Sequence, residues 1–321
     1  MALHREMPSG GKVLKPHVLL TTDGSPYAQK AVDYLATAFA GKEIEVTALS
    51  IAPAPPSYLL RPVPGLNEIE REERLEKIQM ENLSGADKSV KEVLEHLRRK
   101  KFAPENLHSR VVLQRGDIAS VILHEAREGH FDAVVAGRRG LGKFSSSFMG
   151  SVTQKLVEYG QNVPVWVVDG NSWNKRFLVA VDLGEPGLKV LDHVSFILAG
   201  DPEIEIEIFY VLTALFPEVK EEGLEEIQKI LMKEEEEEAI SFFEEAQKMF
   251  QEGFARGQVR VKIKSSPFGV AGAILKEARE GNFGTVMVGR RGRGGFKGLL
   301  LGSVSSKVLF SLNDRTIWVV G

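Results

Sequence analysis

Gly137-Arg-Arg-Gly-Leu-Gly-Lys-Phe-Ser-Ser-Ser-Phe-Met-Gly-Ser151 occurs twice in this chain, returning without a gap as Gly289-Arg-Arg-Gly-Arg-Gly-Gly-Phe-Lys-Gly-Leu-Leu-Leu-Gly-Ser303. Gly137, Gly140, Gly150 and Ser151 fall on Gly289, Gly292, Gly302 and Ser303. Each copy follows an apolar run and precedes a helix-like one, so each reads as strand, glycine-rich loop, helix N-terminus. Glycine lets main-chain N–H groups approach an anion without a Cβ in the way. The opening turn of a helix offers unpaired N–H groups and a positive dipole end to the same anion. Ser151 and Ser303 add hydroxyls there, either as donors to the anion or as plain N-caps.

Outward from the motif, the same offset holds for Glu125-Ala-Arg-Glu-Gly129 with Glu277-Ala-Arg-Glu-Gly281 and for Trp166 with Trp318, which marks a tandem duplication. In each half, strands alternate with helices. The first half reads as His17–Thr22, a helix from Pro26 to Phe39, Glu43–Ile51, a Pro-rich loop from Ala52 to Gly65, and a charged segment from Asn67 to Lys101. That segment is helical by its apolar spacing, with Gly85 as a place where it can break. Arg110–Gln114, a helix over Asp117–Glu128, Phe131–Ala136, a helix over Ser151–Tyr159 and the strand Val163–Val168 complete the half. After a linker, Asp169–Lys175, the order repeats: Phe177–Val181, a helix from Pro186, Ile204–Val211, an acidic helical segment, Val259–Lys264, a helix, Thr285–Val288, the motif, and Thr316–Val320. The expected fold is α/β: two tandem doubly wound, open parallel sheets of five strands each, order 3-2-1-4-5, with domains over residues 1–170 and 171–321.

In that order strands 1 and 4 are neighbours, and ligands of open α/β sheets bind beyond the carboxyl ends of the strands where the winding reverses. Asp23 ends the first strand and Asp182 its repeat, so an aspartate and a glycine loop converge on one crevice per half. The carboxylate repels phosphate, but it can accept from an adenine amino group or a ribose hydroxyl, or else cap the first helix. Two other phosphate loops are rejected. Gly137-x-x-x-x-Gly142-Lys143 lacks the Ser or Thr that a Walker A loop needs next, having Phe144, and a dinucleotide fingerprint fails at Ser145 and Lys297. The pairs Arg138-Arg139 and Arg290-Arg291 can face phosphate, solvent or the other half.

With 321 residues, 43% hydrophobic and 26% charged, the chain suits two ordinary cores, and it has no apolar run of bilayer length. A net charge of −3 argues against a bulk grip on nucleic acid. The absence of cysteine excludes thiolate chemistry and Cys-ligated metal, and with a leader lacking an apolar core it makes a cytoplasmic location the expectation. The seven histidines show no ligand spacing, so no metal site is expected from them.

Each half resembles a universal stress protein domain of the nucleotide-binding branch. The resemblance rests on Gly-x-x-Gly, nine residues, then Gly-Ser after the fourth strand, and on the aspartate ending the first. It implies ATP or another adenine nucleotide as ligand, often with magnesium, at Asp23, Gly137, Gly140, Gly150 and Ser151 and at Asp182, Gly289, Gly292, Gly302 and Ser303. It also implies pairing of domains through the fifth strands, so that Trp166 and Trp318 sit in an internal pseudo-dimer. A further homodimer of the chain stays open. A regulator with at most slow ATP hydrolysis is the expected activity. The alternative is an interaction scaffold that works through the long charged helices; both second helical segments are long for the family and can cover the crevice or carry a partner surface. The turn Asp182-Leu-Gly-Glu-Pro186 departs from Asp23-Gly-Ser-Pro26, and this bulkier, acidic turn makes the first crevice the stronger candidate.

Overall fold

The computed structural model describes residues 15–62, 67–140, 149–171, 173–212, 224–266, 269–292, 300–312 and 314–321. The interiors of both glycine motifs, with Lys143, Phe144, Ser145 and Lys297, lie outside the described residues, as do the N-terminal leader, the end of the Pro-rich loop and the start of the second acidic segment.

Among the described residues, ten strands form one sheet. In the first half these are β1 (His17–Thr21), β2 (Glu45–Ala52), β3 (Leu107–Leu113), β4 (Ala133–Gly137) and β5 (Val165–Val168). In the second they are β6 (Arg176–Ala180), β7 (Glu205–Leu212), β8 (Val259–Ser265), β9 (Thr285–Gly289) and β10 (Thr316–Val320). Their order is β3-β2-β1-β4-β5-β10-β9-β6-β7-β8. Each half thus has the expected 3-2-1-4-5 order, all parallel. Sequence reading expected two sheets; the structure fuses them, because β5 pairs antiparallel with β10 and Trp166 stands opposite Trp318.

The helices are α1 (Pro26–Ala38), α2 (Glu68–Arg99), α3 (Ile118–Glu128) and α4 (Ser151–Tyr159), then α5 (Glu185–Leu198), α6 (Leu224–Met249), α7 (Gly269–Glu280) and α8 (Ser303–Ser311). Helix α1 starts as its sequence dictates: the Ser25 hydroxyl accepts from the Ala28 N–H at 3.1 Å, and Pro26 occupies the first turn, where its missing N–H costs nothing. No break occurs at Gly85, since α2 runs through it for 32 residues, opened by a capping box between Asn67 and Glu70. The stripe Ala86, Val90, Val93, Leu94 and Leu97 is buried beneath α2, and that burial outweighs one glycine in an exposed turn. The Pro-rich loop contains a short 3-10 turn at Ser57–Leu60.

Two apolar layers flank the sheet, and each runs through both halves. One joins Val18, Leu20 and Trp166 to Phe177, Val179 and Trp318 under α1, α2, α5 and α6. The other joins Leu19, Val134 and Val165 to Leu178, Val286 and Ile317 under α3, α4, α7 and α8. At the joint the indoles of Trp166 and Trp318 stack with centroids 3.8 Å apart and planes 2° from parallel. Phe39 continues the stack against Trp166 at 5.5 Å. Such pairs add roughly 0.5–1.5 kcal/mol to the burial of their area. Tyr34 of α1 accepts from the Trp318 indole at 2.9 Å and shares a 3.0 Å hydrogen bond with Thr285, so a first-half helix is tied to second-half strands.

Candidate functional site

A crevice opens at the carboxyl ends of β1 and β4, and a second at the same ends of β6 and β9. The first has a volume of about 640 Å³, and Asp23, Gly137, Gly140, Gly150 and Ser151 all line it. The second is about 530 Å³ and is lined by Asp182, Gly289, Gly292, Gly302 and Ser303. Residues more than a hundred positions apart are brought together because β1 and β4 are neighbours, with Leu19 opposite Val134.

The aspartates and the second glycines are in contact. A Cβ on Gly140 would stand inside 3.0 Å of the Asp23 carboxylate, and a Cβ on Gly292 would do the same to Asp182. Asp23 accepts from the Ser25 N–H at 3.0 Å, within a turn whose Gly24 has φ of +74°. Asp182 accepts from the Leu183 N–H at 3.0 Å. Helix capping therefore falls to Ser25 and to the backbone of Gly184 rather than to the aspartates.

Gly150 and Gly302 are the N-caps of α4 and α8, which places Ser151 and Ser303 in the first helical position. That position, one residue past the cap, corrects the plain N-cap alternative, and both serines are exposed at the crevice mouth. The loops are held to their helices by a feature that the sequence pattern did not flag. The Thr153 hydroxyl donates to the Gly137 carbonyl at 2.8 Å, and Ser305 donates to Gly289 at 2.5 Å. The signal was present as a hydroxyl in both copies at the same offset.

The paired arginines divide their roles. Arg138 is buried and donates to the carbonyls of Leu309 at 2.8 Å and Leu312 at 3.1 Å, capping the end of α8 in the other half. Arg290 does the reciprocal, donating to the Glu158 carbonyl near the end of α4. Burial pulls both guanidinium groups below their ordinary value, Arg138 against the opposing pull of Asp169 and Arg290, beside Arg291, to about 10. Arg139 instead lines the first crevice, with its guanidinium 5.4 Å from the Tyr27 ring and 3.9 Å from Asp169. Lys30 reaches the same carboxylate at 3.6 Å. The second half carries Gly321 at the position of Asp169.

Among the described residues, no group of three His, Asp or Glu side chains is placed to hold a metal ion, and no helix is long and apolar enough to cross a membrane.

A sequence model of the universal stress protein family matches residues 16–169 and again 174–312, which is most of the chain. The chain belongs to the universal stress protein family. A universal stress protein of Mycolicibacterium smegmatis is 27% identical over 202 residues, which is 61% of this chain and 63% of that one. Under two thirds of that relative's length is therefore matched. Among solved structures, a universal stress protein from Archaeoglobus fulgidus DSM 4304 superposes with a TM-score of 0.57 at 20% identity, covering 95% of both chains. A functionally unknown protein from Pseudomonas aeruginosa PAO1 gives 0.56 at 12% identity, covering 95% of this chain and 92% of the other. At these identities the two structures speak for the fold, and the two-segment family match carries the membership.

Proposed function

We propose that this universal stress protein is a nucleotide-dependent regulator that binds an adenine nucleotide, ATP foremost, with the phosphates at the glycine loop and the nucleoside towards the aspartate. The observation that carries the reading is the convergence of Asp23 with Gly137, Gly140, Gly150 and Ser151 on one crevice. A helix N-terminus and open backbone suit the anionic end, while a carboxylate suits the hydroxyls and amino group at the other. Arg139 adds a cation to the phosphate end. Magnesium would arrive bound to the phosphates, which are its usual ligands. Asp182, Gly289, Gly292, Gly302 and Ser303 form the corresponding cradle in the second half.

In this reading residues 1–170 and 171–321 are two domains of an internal pseudo-dimer, supported by the β5–β10 ladder and the tryptophan stack. The chain acts in the cytoplasm, as its cysteine-free composition suggests. The test is the small molecule retained by protein purified without added nucleotide, identified by mass spectrometry and followed by calorimetry. An adenine nucleotide is expected, with binding lost in Gly150→Val. An intact protein that binds no adenine nucleotide would overturn the reading.

A further inference from the structure

The two crevices share their phosphate ends and differ at the other. From that difference we infer that the chain holds one nucleoside phosphate, in the first crevice, with one face of α2 as the wall of its sugar and base. The inference rests on the nucleotide reading above.

In the first crevice the glycine loop and the start of α4 occupy one end. The rest of the cavity runs past Ser50 at the end of β2 to α2, where Asn82, Gly85, Ala86 and Ser89 line it at helical spacing. Gly85 stands in the interior of a long helix, where glycine is a poorer helix former than alanine. Nothing in the fold calls for it: no atom lies within 4 Å of the position a Cβ would take, and Gly85 is absent from the positive-φ glycines. A side chain there would have the cavity to grow into. The two polar neighbours are held in place. The Asn82 amide donates to the Pro53 carbonyl at 2.9 Å, which turns its oxygen away as an acceptor. Ser89 donates to the Gly85 carbonyl at 3.1 Å, which leaves its oxygen to accept at the crevice lining. Oriented acceptors beside a gap are what sugar hydroxyls and an exocyclic amino group require.

In the second crevice Tyr210 stands where the first has Ser50. Its ring is buried against Phe243, with centroids 6.3 Å apart, and its hydroxyl donates to Glu235 of α6 at 2.5 Å. Phe242 closes in from the same helix, 3.1 Å from the position a Cβ on Gly187 would take. No described residue of α6 lines that crevice, whereas α2 forms a wall of the first. Tyr210, tied to Glu235 and packed on Phe243, thus takes the place that a serine leaves open in the first crevice, and the α2 wall has no described counterpart in the second. Glu235, Glu238 and Asp182 all act on the phenol, which burial first and these carboxylates next push above its ordinary value. Tyr210 therefore stays protonated and keeps its bond to Glu235.

The test is calorimetric titration of the full chain with ATP, alongside thermal unfolding of the same samples. Wild type is expected to bind one nucleotide per chain. Gly85→Gln is expected to weaken that binding by about tenfold or more, with a Tm no lower than wild type, since a better helix former replaces glycine. Gly85→Ala, whose methyl group has room, is expected to bind within about twofold of wild type. Two equivalent nucleotides per wild-type chain, or wild-type affinity in Gly85→Gln, would overturn the inference while leaving the nucleotide reading intact. A wild-type chain that binds no ATP would remove both.

Discussion

Gly140 shows how little room a single residue has at the crevice. Its Cβ position is taken by the Asp23 carboxylate, so Gly140→Ala forces the aspartate out of place. Because Asp23 is exposed and can swing aside, the expected loss of stability by urea unfolding is small, under about 1 kcal/mol, with a clear fall in ATP affinity. An alanine variant with unchanged affinity would show that Asp23 does not need its position. Lys42 carries a different prediction. Its ammonium donates to the Ala199 carbonyl at 2.6 Å across the two halves, and burial, opposed by Asp201, pulls its pKa from 10.5 to about 8. Between pH 8 and 10.5 the unfolded chain keeps a proton that the folded chain has released, so folding gains stability as pH rises through that window. Below pH 8 the full penalty of burying the cation is present. Lys42→Met abolishes this term, so the unfolding free energy of the variant minus that of wild type should become more negative from pH 8 to 10.5. A pH-independent gap would contradict the assignment.

At the scale of elements, the reciprocal arginines close a ring. The Arg138 carbonyl accepts the Gly150 N–H at the start of α4 while its side chain caps α8, and the Arg290 carbonyl accepts the Gly302 N–H at the start of α8 while its side chain caps α4. Removing either arginine uncaps a helix in the other half, and removing Arg138 also leaves Asp169 buried beside less positive charge. Arg138→Met is expected to cost about 3 kcal/mol in chemical denaturation. Because the ring spans both halves, they should still unfold in one transition; two separate transitions in wild type would refute that coupling. The ring was invisible in the sequence. Repetition revealed that both arginines matter alike, but not that Arg138 turns towards a helix 171 residues away and Arg290 towards one 132 residues away, since facing is decided by the β5–β10 ladder. Other elements were legible. The expected span of α4, Ser151–Tyr159 with its Gly-Ser entry, matches the structure, and the sheet order within each half followed from the handedness of crossovers. Gly85 misled because helix propensity is local, whereas α2 is held by a buried stripe along its sheet-facing side. The pairing of Asp23 and Asp182 with the glycine loops was readable for the same reason as the sheet order. That the long second segments can cover the crevice was readable from their length, but not which side chains of α2 line it, because those become its neighbours only once α2 lies over β2.

At the scale of the molecule, the halves share two apolar layers and an aromatic stack, so neither surface at the joint is built to stand alone. Residues 1–170 produced separately would leave the β5 edge and Trp166 uncovered. Sedimentation should show that fragment self-associating, and a monomer at every concentration tested would argue against the joint as the source of cohesion. The same ladder decides how the sheet ends. With β5 and β10 turned towards each other, the outermost strands are β3 and β8. Both are studded with charge: Arg110 pairs with Glu125 on one, and Lys262 pairs with Glu277 on the other. A strand from another chain would have to dehydrate those ion pairs before its first backbone bond formed. Among the described residues, the duplication therefore turns the fifth-strand edge of each half inward against the other and leaves ion-paired strands on the outer flanks.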